Sequence, residues 1–121
     1  MSANYHQPPG RMTFEKFNLE ELTTARRNAL ANSLRTVSYD ELKKLGEEIF
    51  KHADDPWRHT FFDFIADNRT ATFHHAETSD GVHIVYCRDR DIGMWFVPGT
   101  GKGPLQSRGR QAMKEIIETH R

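Results

Sequence analysis

The chain has little cysteine, no excess charge of either sign and no long hydrophobic run, and each absence excludes a class of protein. A single cysteine, Cys87, cannot form a disulfide within the chain, so the sequence does not resemble a small disulfide-stabilised secreted domain. No apolar stretch has the length of a membrane span or follows a basic start as in a signal peptide. These absences predict a cytoplasmic protein that does not contact a membrane.

The balance of charge limits how the protein can attract a partner. Its 17 basic residues equal its 17 acidic residues, so no overall field draws the chain to nucleic acid or to an anionic membrane. Any electrostatic partner must therefore bind a local charged patch.

With 121 residues, the chain is long enough for one compact domain and too short for two. Eight Phe and two Trp supply core material although only 36% of the residues are apolar.

The N-terminal region divides into a tail and a helix. Residues 1–11 contain two consecutive prolines followed by a glycine, which predicts a flexible tail, and residues 12–121 are predicted to form a single domain. Asn18 and Glu21 have the spacing of a capping box. Apolar residues then recur at helical spacing, which predicts a first helix that ends near residue 36.

Two further helices are predicted before any strand. Ser38 and Glu41 repeat the capping box, so a second helix begins almost at once. Asp55 and Pro56 stop it and start a third helix, which runs to about Ala66. Large apolar residues on the third helix are too many for one narrow stripe, which predicts burial on two sides. They are Trp57, Phe61, Phe62, Phe64 and Ile65.

A β-hairpin carries the strongest metal-binding pattern. Residues 70–77 and 82–88 are rich in β-branched and aromatic residues and flank a turn at Asp80-Gly81. If those two residues are central, His74 lies opposite Cys87 and shares a face with His83. Histidine and cysteine are donors that zinc prefers, so these three are candidate ligands, with His59 of the neighbouring helix.

The alternative interpretation of the hairpin is structural, with partly exposed histidines and a small buried cysteine. A slip of one residue in the register would place the three candidates on both faces of the strand pair. We therefore predict no bound metal and no cofactor. His59 and Asp63 have the spacing of a helical pair that could transfer protons, but no nucleophile is indicated near them, which favours a structural pair and a protein without catalysis.

The stretch Met94–Val97 predicts the third strand of an antiparallel meander. Four consecutive large apolar residues on a strand need cover on both faces, because alternate side chains point in opposite directions. As the edge of a three-stranded sheet, this strand would need a helix or a second subunit beside it. We predict a homodimer through this region.

A basic, glycine-rich segment follows that strand. Between residues 98 and 114 there are basic residues and no acidic one, and a loop at Pro98–Gly103 leads to a helix that begins near Pro104 or Ser107. A strand, a loop and a helix in this order suit anion binding by backbone N–H groups. The spacing of the glycines fits neither a Walker A sequence nor a dinucleotide fingerprint. The candidate ligand-binding residues are Thr100, Lys102, Arg108, Arg110 and Lys114.

The order of elements from Pro56 onward is similar in outline to the double-stranded-RNA-binding domain. In that family the second helix opens with a lysine-rich segment that straddles phosphates, and Ser107, Arg108 and Arg110 occupy a comparable place. The similarity is one of layout over about half of the chain. Gly109 interrupts the basic run, and its position on the apolar arc of the last helix predicts a close approach to the sheet.

Together these patterns predict an α+β fold with three N-terminal helices, a three-stranded antiparallel meander and a C-terminal helix packed on the sheet. The predicted function is that of a small intracellular binding or regulatory protein without catalysis. It would contact an anionic partner through residues 98–114, and that partner could be a nucleic acid, a phosphate-bearing ligand or an acidic protein surface. The alternatives are a metal-dependent sensor or small enzyme that uses the hairpin, and a protein–protein adaptor.

Overall fold

The computed structural model describes residues 24–119. Within this range the chain forms four helices and five strands. In chain order they are α1 (Thr24–Ser33), β1 (Arg35–Val37), α2 (Tyr39–Ile49), α3 (Arg58–Asp67), β2 (Phe73–Glu77), β3 (His83–Cys87), β4 (Ile92–Val97), β5 (Gly101–Pro104) and α4 (Ser107–Thr119). The predicted tail at residues 1–11 and the predicted cap at Asn18 and Glu21 lie outside the described residues.

The five strands form one antiparallel sheet in the order β1-β2-β3-β4-β5. The predicted α+β class is therefore confirmed, whereas the prediction of three helices before any strand is wrong, because β1 lies between α1 and α2. The prediction of only three strands is wrong, because the sheet continues beyond the central meander at both edges. Each additional strand comes from a segment whose sequence indicates something else.

The first additional strand, β1, lies where the first helix was predicted to continue. Helix α1 ends at Ser33, whose hydroxyl donates to the carbonyl of Glu77 at 2.9 Å and accepts from the N–H of Glu77 at 2.7 Å. These two bonds attach the end of the helix to β2. The chain then extends as Arg35–Val37 beside Phe73–His75, which buries Val37 against the sheet interior. A tertiary contact thus replaces the last helical turn.

The second additional strand, β5, lies where the basic loop was predicted. Gly101–Pro104 pairs with Met94–Val97, so β4 is not the edge strand that the sequence suggests. Gly103 makes this pairing possible, because a Cβ there would lie 2.6 Å from the ring of Trp95. At the new edge Pro104 has no N–H to offer a further strand.

Helices cover both faces of the sheet. The α2/α3 face has a buried cluster that joins Leu42, Phe61 and Ile65 of the helical region to strand residues that include Phe96. The α1/α4 face has a second cluster, in which Leu30 and helix α4 meet the sheet. Its members are Leu30, Ala76, Ile84, Tyr86, Leu105, Met113, Ile116 and Ile117.

The cover that β4 needs on both faces is supplied within the chain. Phe96 belongs to the cluster on the α2/α3 face, while Trp95 packs against the cluster on the α1/α4 face. The structure therefore removes the reason for which a second subunit was expected beside this strand. Gly109 on α4 is buried, and its close approach to the sheet stays a prediction.

The predicted start of the second helix is confirmed. The hydroxyl of Ser38 accepts from the N–H of Glu41 at 3.1 Å, and the carboxylate of Glu41 accepts from the N–H of Ser38 at 2.8 Å. The third helix begins at Arg58 rather than Pro56, because the preceding residues form a turn in which Asp55 accepts from the N–H of Trp57 at 2.9 Å.

The layout differs from the expected outline of a double-stranded-RNA-binding domain. An additional strand, β5, separates the meander of β2, β3 and β4 from α4, and α3 and α4 cover opposite faces of the sheet. None of the helices within residues 24–119 combines the length and the apolar character needed to cross a membrane.

Candidate functional site

The candidate ligand-binding residues do not form one surface. Thr100 lies in the turn between β4 and β5, where its N–H donates to the carbonyl of Val97 at 2.9 Å. Lys102 pairs with Phe96 in the sheet, so its side chain projects from the α2/α3 face. There its Nζ atom lies 5.8 Å from the ring centroid of Trp57, a cation–π contact.

Arg108, Arg110 and Lys114 lie on α4, which covers the opposite face. The predicted set is thus split by the sheet, with Lys102 on one side and the three helical cations on the other. The physical reason is that residues 101–104 form a strand, whose side chains alternate between the two faces, instead of a loop that leads directly into the helix. Residues that are close in sequence are therefore not close in space in this segment.

Arg110 and Lys114 converge instead on a carboxylate that the sequence did not single out. The Nζ atom of Lys114 lies 3.3 Å from Oδ1 of Asp91, and Nε of Arg110 lies 3.5 Å from the same oxygen. The hydroxyl of Tyr86 donates to that oxygen at 2.9 Å. We call these four residues, Tyr86, Asp91, Arg110 and Lys114, the Asp91 cluster.

Local structure fixes each member of the Asp91 cluster. Asp91 lies in the turn between β3 and β4 with a left-handed φ of 50°, a conformation that Asp and Asn tolerate better than most residues. Tyr86 is buried in β3 below it. Arg110 is anchored by its Nη1 atom, which donates to the carbonyl of Leu105 at 2.7 Å. The spacing of Arg110 and Lys114 places both on one side of α4.

The electrostatics of the cluster keep it in one protonation state near neutral pH. The hydrogen bond from Tyr86 and the nearby ammonium of Lys114 and guanidinium of Arg110 lower the pKa of Asp91, so it is a carboxylate. Burial, followed by the bond to Asp91, raises the pKa of Tyr86, which keeps its hydroxyl a donor. Two cations against one carboxylate leave one formal positive charge in the cluster.

The charges near the cluster are of both signs, since Asp89 and Arg90 of the same turn carry opposite charges. On the same side of the sheet, Arg88 forms an ion pair with Glu118 at 2.7 Å, which adds no net charge. Arg90 turns toward the end of α3, where it donates to Oδ1 of Asn68 and to the hydroxyl of Thr70, both at 3.4 Å. The Asp91 cluster is therefore a basic site whose charge is only half neutralised from within the chain.

The hairpin histidines have a different register from the predicted one. His74 lies opposite Tyr86, while Phe73 lies opposite Cys87. The expected pairing is wrong by one residue, because the N–H of Thr78 closes the turn on the carbonyl of Val82 at 2.9 Å. His74 consequently projects from the α1/α4 face, whereas His83 and Cys87 project from the α2/α3 face.

The register brings His75 beside His83. Nε2 of His75 lies 3.1 Å from Nδ1 of His83, and Nε2 of His83 lies 3.8 Å from a carboxylate oxygen of Glu77. Nδ1 of His75 is buried and has no hydrogen-bond partner within residues 24–119. The contacts are best satisfied when Nε2–H of His75 donates to His83, whose own Nε2–H then points toward Glu77.

Burial keeps both imidazoles neutral. It lowers the pKa of His75 to about 3, with the nearby His83 and Arg35 acting in the same direction. Burial also lowers the pKa of His83, although the carboxylate of Glu77 opposes this shift. The pair is a buried, uncharged hydrogen-bonded chain that ends at a carboxylate near the surface.

This arrangement does not bring metal ligands together. His83 presents one ring nitrogen to His75 and the other to Glu77, so the donors do not converge on one point. In the part of the chain that the structure describes, no three His, Cys, Asp or Glu side chains are grouped to hold a metal ion. Burial raises the pKa of Cys87 to about 11, which disfavours the thiolate that a metal requires.

The predicted pair of His59 and Asp63 is present on α3. Nε2 of His59 lies 2.9 Å from Oδ2 of Asp63, and the two side chains are 86% and 62% exposed. The ring of His59 and the carboxylate of Asp63 are both accessible to water, which distinguishes this pair from the buried histidine chain of the hairpin. The geometry fits the surface pair that helical spacing indicates.

Comparison with known protein families, with curated proteins and with solved structures gives no match to this chain. Function must therefore be argued from the Asp91 cluster and the histidine chain themselves.

Proposed function

We propose that this is a non-catalytic binding protein that contacts an anionic partner through helix α4. Arg110 and Lys114 form the centre of the contact, and Arg108 lies on the exposed first turn of the same helix. The observation that carries the proposal is the convergence of two cations on the single carboxylate of Asp91. Thr100 and Lys102 are not part of this contact, because Thr100 lies in the turn between β4 and β5 and Lys102 projects from the α2/α3 face.

The geometry of Arg110 supports this proposal. Its Nε atom is buried and makes no hydrogen bond within residues 24–119, although Oδ1 of Asp91 lies 3.5 Å away. A buried donor without a partner is costly, and a charged donor is more so. An anion that approaches Arg110 more closely than Asp91 does would supply the missing bond.

The test is a pair of charge-matched double variants. Arg110→Gln with Lys114→Gln removes both cations of the cluster, while Lys44→Gln with Lys51→Gln removes two exposed cations elsewhere. Phosphate, a short oligonucleotide and poly-L-glutamate are each titrated at low salt, and the melting temperature reports binding. We expect at least one probe to stabilise the wild type and the control but not the cluster variant. Equal responses of all three proteins would contradict the proposal.

Two further expectations stay predictions. Homodimerisation through Met94–Val97 no longer follows from a need for cover, because β5 and the helices on both faces supply it. Light scattering at tens of micromolar protein tests the dimer, and a monomeric mass would contradict it. A cytoplasmic location is the second expectation, and fractionation of the source cells tests it.

A further inference from the structure

The three donors of the Asp91 cluster all lie near one oxygen atom, Oδ1 of Asp91. Tyr86, Lys114 and Arg110 lie 2.9, 3.3 and 3.5 Å from Oδ1 of Asp91. Charge-assisted hydrogen bonds between N and O are usually about 2.7 to 2.9 Å long. The two cations are therefore only loosely satisfied, and an anion with several oxygens could bond to each donor separately.

Asp91 has an advantage over any free carboxylate. Its side chain is held beside the cations by the turn, so its effective concentration there is high. A free carboxylate offers the same single charge without that advantage and cannot compete well. A phosphate monoester carries about −1.5 to −2 charges at neutral pH and has three acceptor oxygens. It can therefore compete with Asp91 for the two cations, which a free carboxylate cannot do well. A phosphodiester in a nucleic-acid backbone again carries only one charge.

The side chain of Asp91 can also move away from the two cations without disturbing the fold. Its side chain is 44% exposed, so rotation about χ1 can move the carboxylate into water while the backbone of the turn stays in place. Tyr86 and Arg110 would remain in position, because one is buried in β3 and the other is anchored on the carbonyl of Leu105.

We propose that Tyr86, Arg110 and Lys114 form a phosphomonoester-binding site in which the carboxylate of Asp91 is an internal, displaceable occupant. This inference rests on the proposed function and specifies its ligand and its regulation. The phosphate displaces Asp91 from the two cations, and Asp91 sets the threshold affinity by competing for the same donors. The monoester could belong to a phosphorylated protein segment or to a nucleotide, which share this group.

The decisive variant is Asp91→Asn, compared with Asp89→Asn in the same turn. Asparagine retains an acceptor for Tyr86 and tolerates the left-handed backbone, but it no longer holds the cations by charge. Asp89 is exposed and forms no hydrogen bond or ion pair with the rest of residues 24–119, so its variant controls for the loss of one negative charge.

Binding is measured by calorimetry at low salt with a phosphoserine peptide, its unphosphorylated form, adenosine 5′-monophosphate, poly-L-glutamate and an oligonucleotide without terminal phosphate. We expect Asp91→Asn to bind a monoester about threefold or more tightly than Asp89→Asn does. The peptide and nucleotide arms identify which source presents the group better. Arg110→Gln with Lys114→Gln should abolish monoester binding in the Asp91→Asn background.

Two results would overturn the inference while leaving the proposed function intact. One is equal monoester affinity of the Asp91→Asn and Asp89→Asn variants, which would reduce the role of Asp91 to general charge. The other is binding of poly-L-glutamate or the oligonucleotide that requires Arg110 and Lys114 and exceeds monoester binding. If no probe binds in a manner that requires Arg110 and Lys114, both the inference and the proposed function fail.

Discussion

On the α2/α3 face of the sheet the side chain of His83 is 8% exposed, whereas on the α1/α4 face the side chain of Asp91 is 44% exposed. Both belong to short polar chains built on β3, one through His83 and the other through Tyr86. The buried chain must stay neutral, because its environment penalises charge. The partly exposed cluster keeps its charges, because the hydrogen bond from Tyr86 and the two cations lower the pKa of Asp91. Burial thus makes the first chain a determinant of stability and leaves the second available for a ligand.

The largest loss of stability is expected when a core side chain on the α2/α3 face is shortened. Phe61 is fully buried, and its ring centroid lies 5.2 Å from those of Phe50 and Phe96. We expect Phe61→Ala to lower the free energy of unfolding by about 3 to 5 kcal/mol, measured by urea denaturation. Ile92→Ala is the control, because Ile92 is exposed. Similar losses in the two variants would contradict the assignment of Phe61 to the core.

Acidification tests the buried histidine chain. Because burial lowers the pKa of His75 from 6.5 to about 3, the folded protein binds fewer protons than the unfolded chain between these values. The stability that neutral His75 contributes is therefore complete above about pH 6.5 and is lost as the pH falls toward 3. From pH 7 to pH 5 we expect the free energy of unfolding to fall by roughly 2 kcal/mol through His75.

His75→Gln isolates this contribution. Glutamine retains a donor for His83 but does not titrate, so the variant should lose less stability than the wild type between pH 7 and pH 5. Denaturation curves at both pH values measure the difference. A wild type and His75→Gln variant that lose equal stability would mean that His75 is charged or exposed in the folded protein.

A smaller loss is expected at the start of α2 on the same face. Ser38→Ala removes the hydroxyl that accepts from the N–H of Glu41 at 3.1 Å. A lost N-cap typically costs about 1 kcal/mol, which a shift in the urea midpoint would report. Ser79→Ala in the exposed hairpin turn is a control. An unchanged midpoint for Ser38→Ala would show that the capping box does not stabilise α2.

The smallest effect is expected in the exposed cluster. Lys114→Gln removes an ion pair with Asp91 at 3.3 Å between partly exposed side chains. Exposed pairs contribute about 0 to 1 kcal/mol, so the free energy of unfolding should change by less than about 1 kcal/mol, and by less still in high salt. A loss of 2 kcal/mol or more would mean that the cluster serves the fold, which would remove the contrast with the histidine chain.

Local chemistry made some of the fold predictable from the sequence. The capping box of Ser38 and Glu41 depends on residues three apart, and the structure contains it. The two edge strands could not be recognised in this way. Gly101–Pro104 has the composition of a turn, but it pairs as a strand, and the missing Cβ of Gly103 leaves room for the ring of Trp95 in that pairing. β1 follows from the attachment of Ser33 to β2, which no local pattern reveals.

The candidate site was harder to predict, because its members meet only in the folded chain. Arg110 and Lys114 are identifiable as a basic helical pair, but their partner Asp91 lies in a turn that appears in sequence as an ordinary charged connection. The register of the hairpin depends on how one turn closes at Thr78, and a difference of one residue replaced His74 by His75 beside His83. Contacts at long sequence separation decided the first outcome, whereas the local geometry of one turn decided the second.

The most direct test of the phosphate site is a ¹⁵N–¹H nuclear magnetic resonance titration that follows the Nε–H of Arg110. That group is buried and has no hydrogen bond within residues 24–119, so its resonance should shift strongly when a phosphate monoester supplies an acceptor. The ring signals of His75 and His83, on the opposite face, should not move. An Arg110 Nε–H resonance that stays fixed while phosphate saturates the protein would contradict the account.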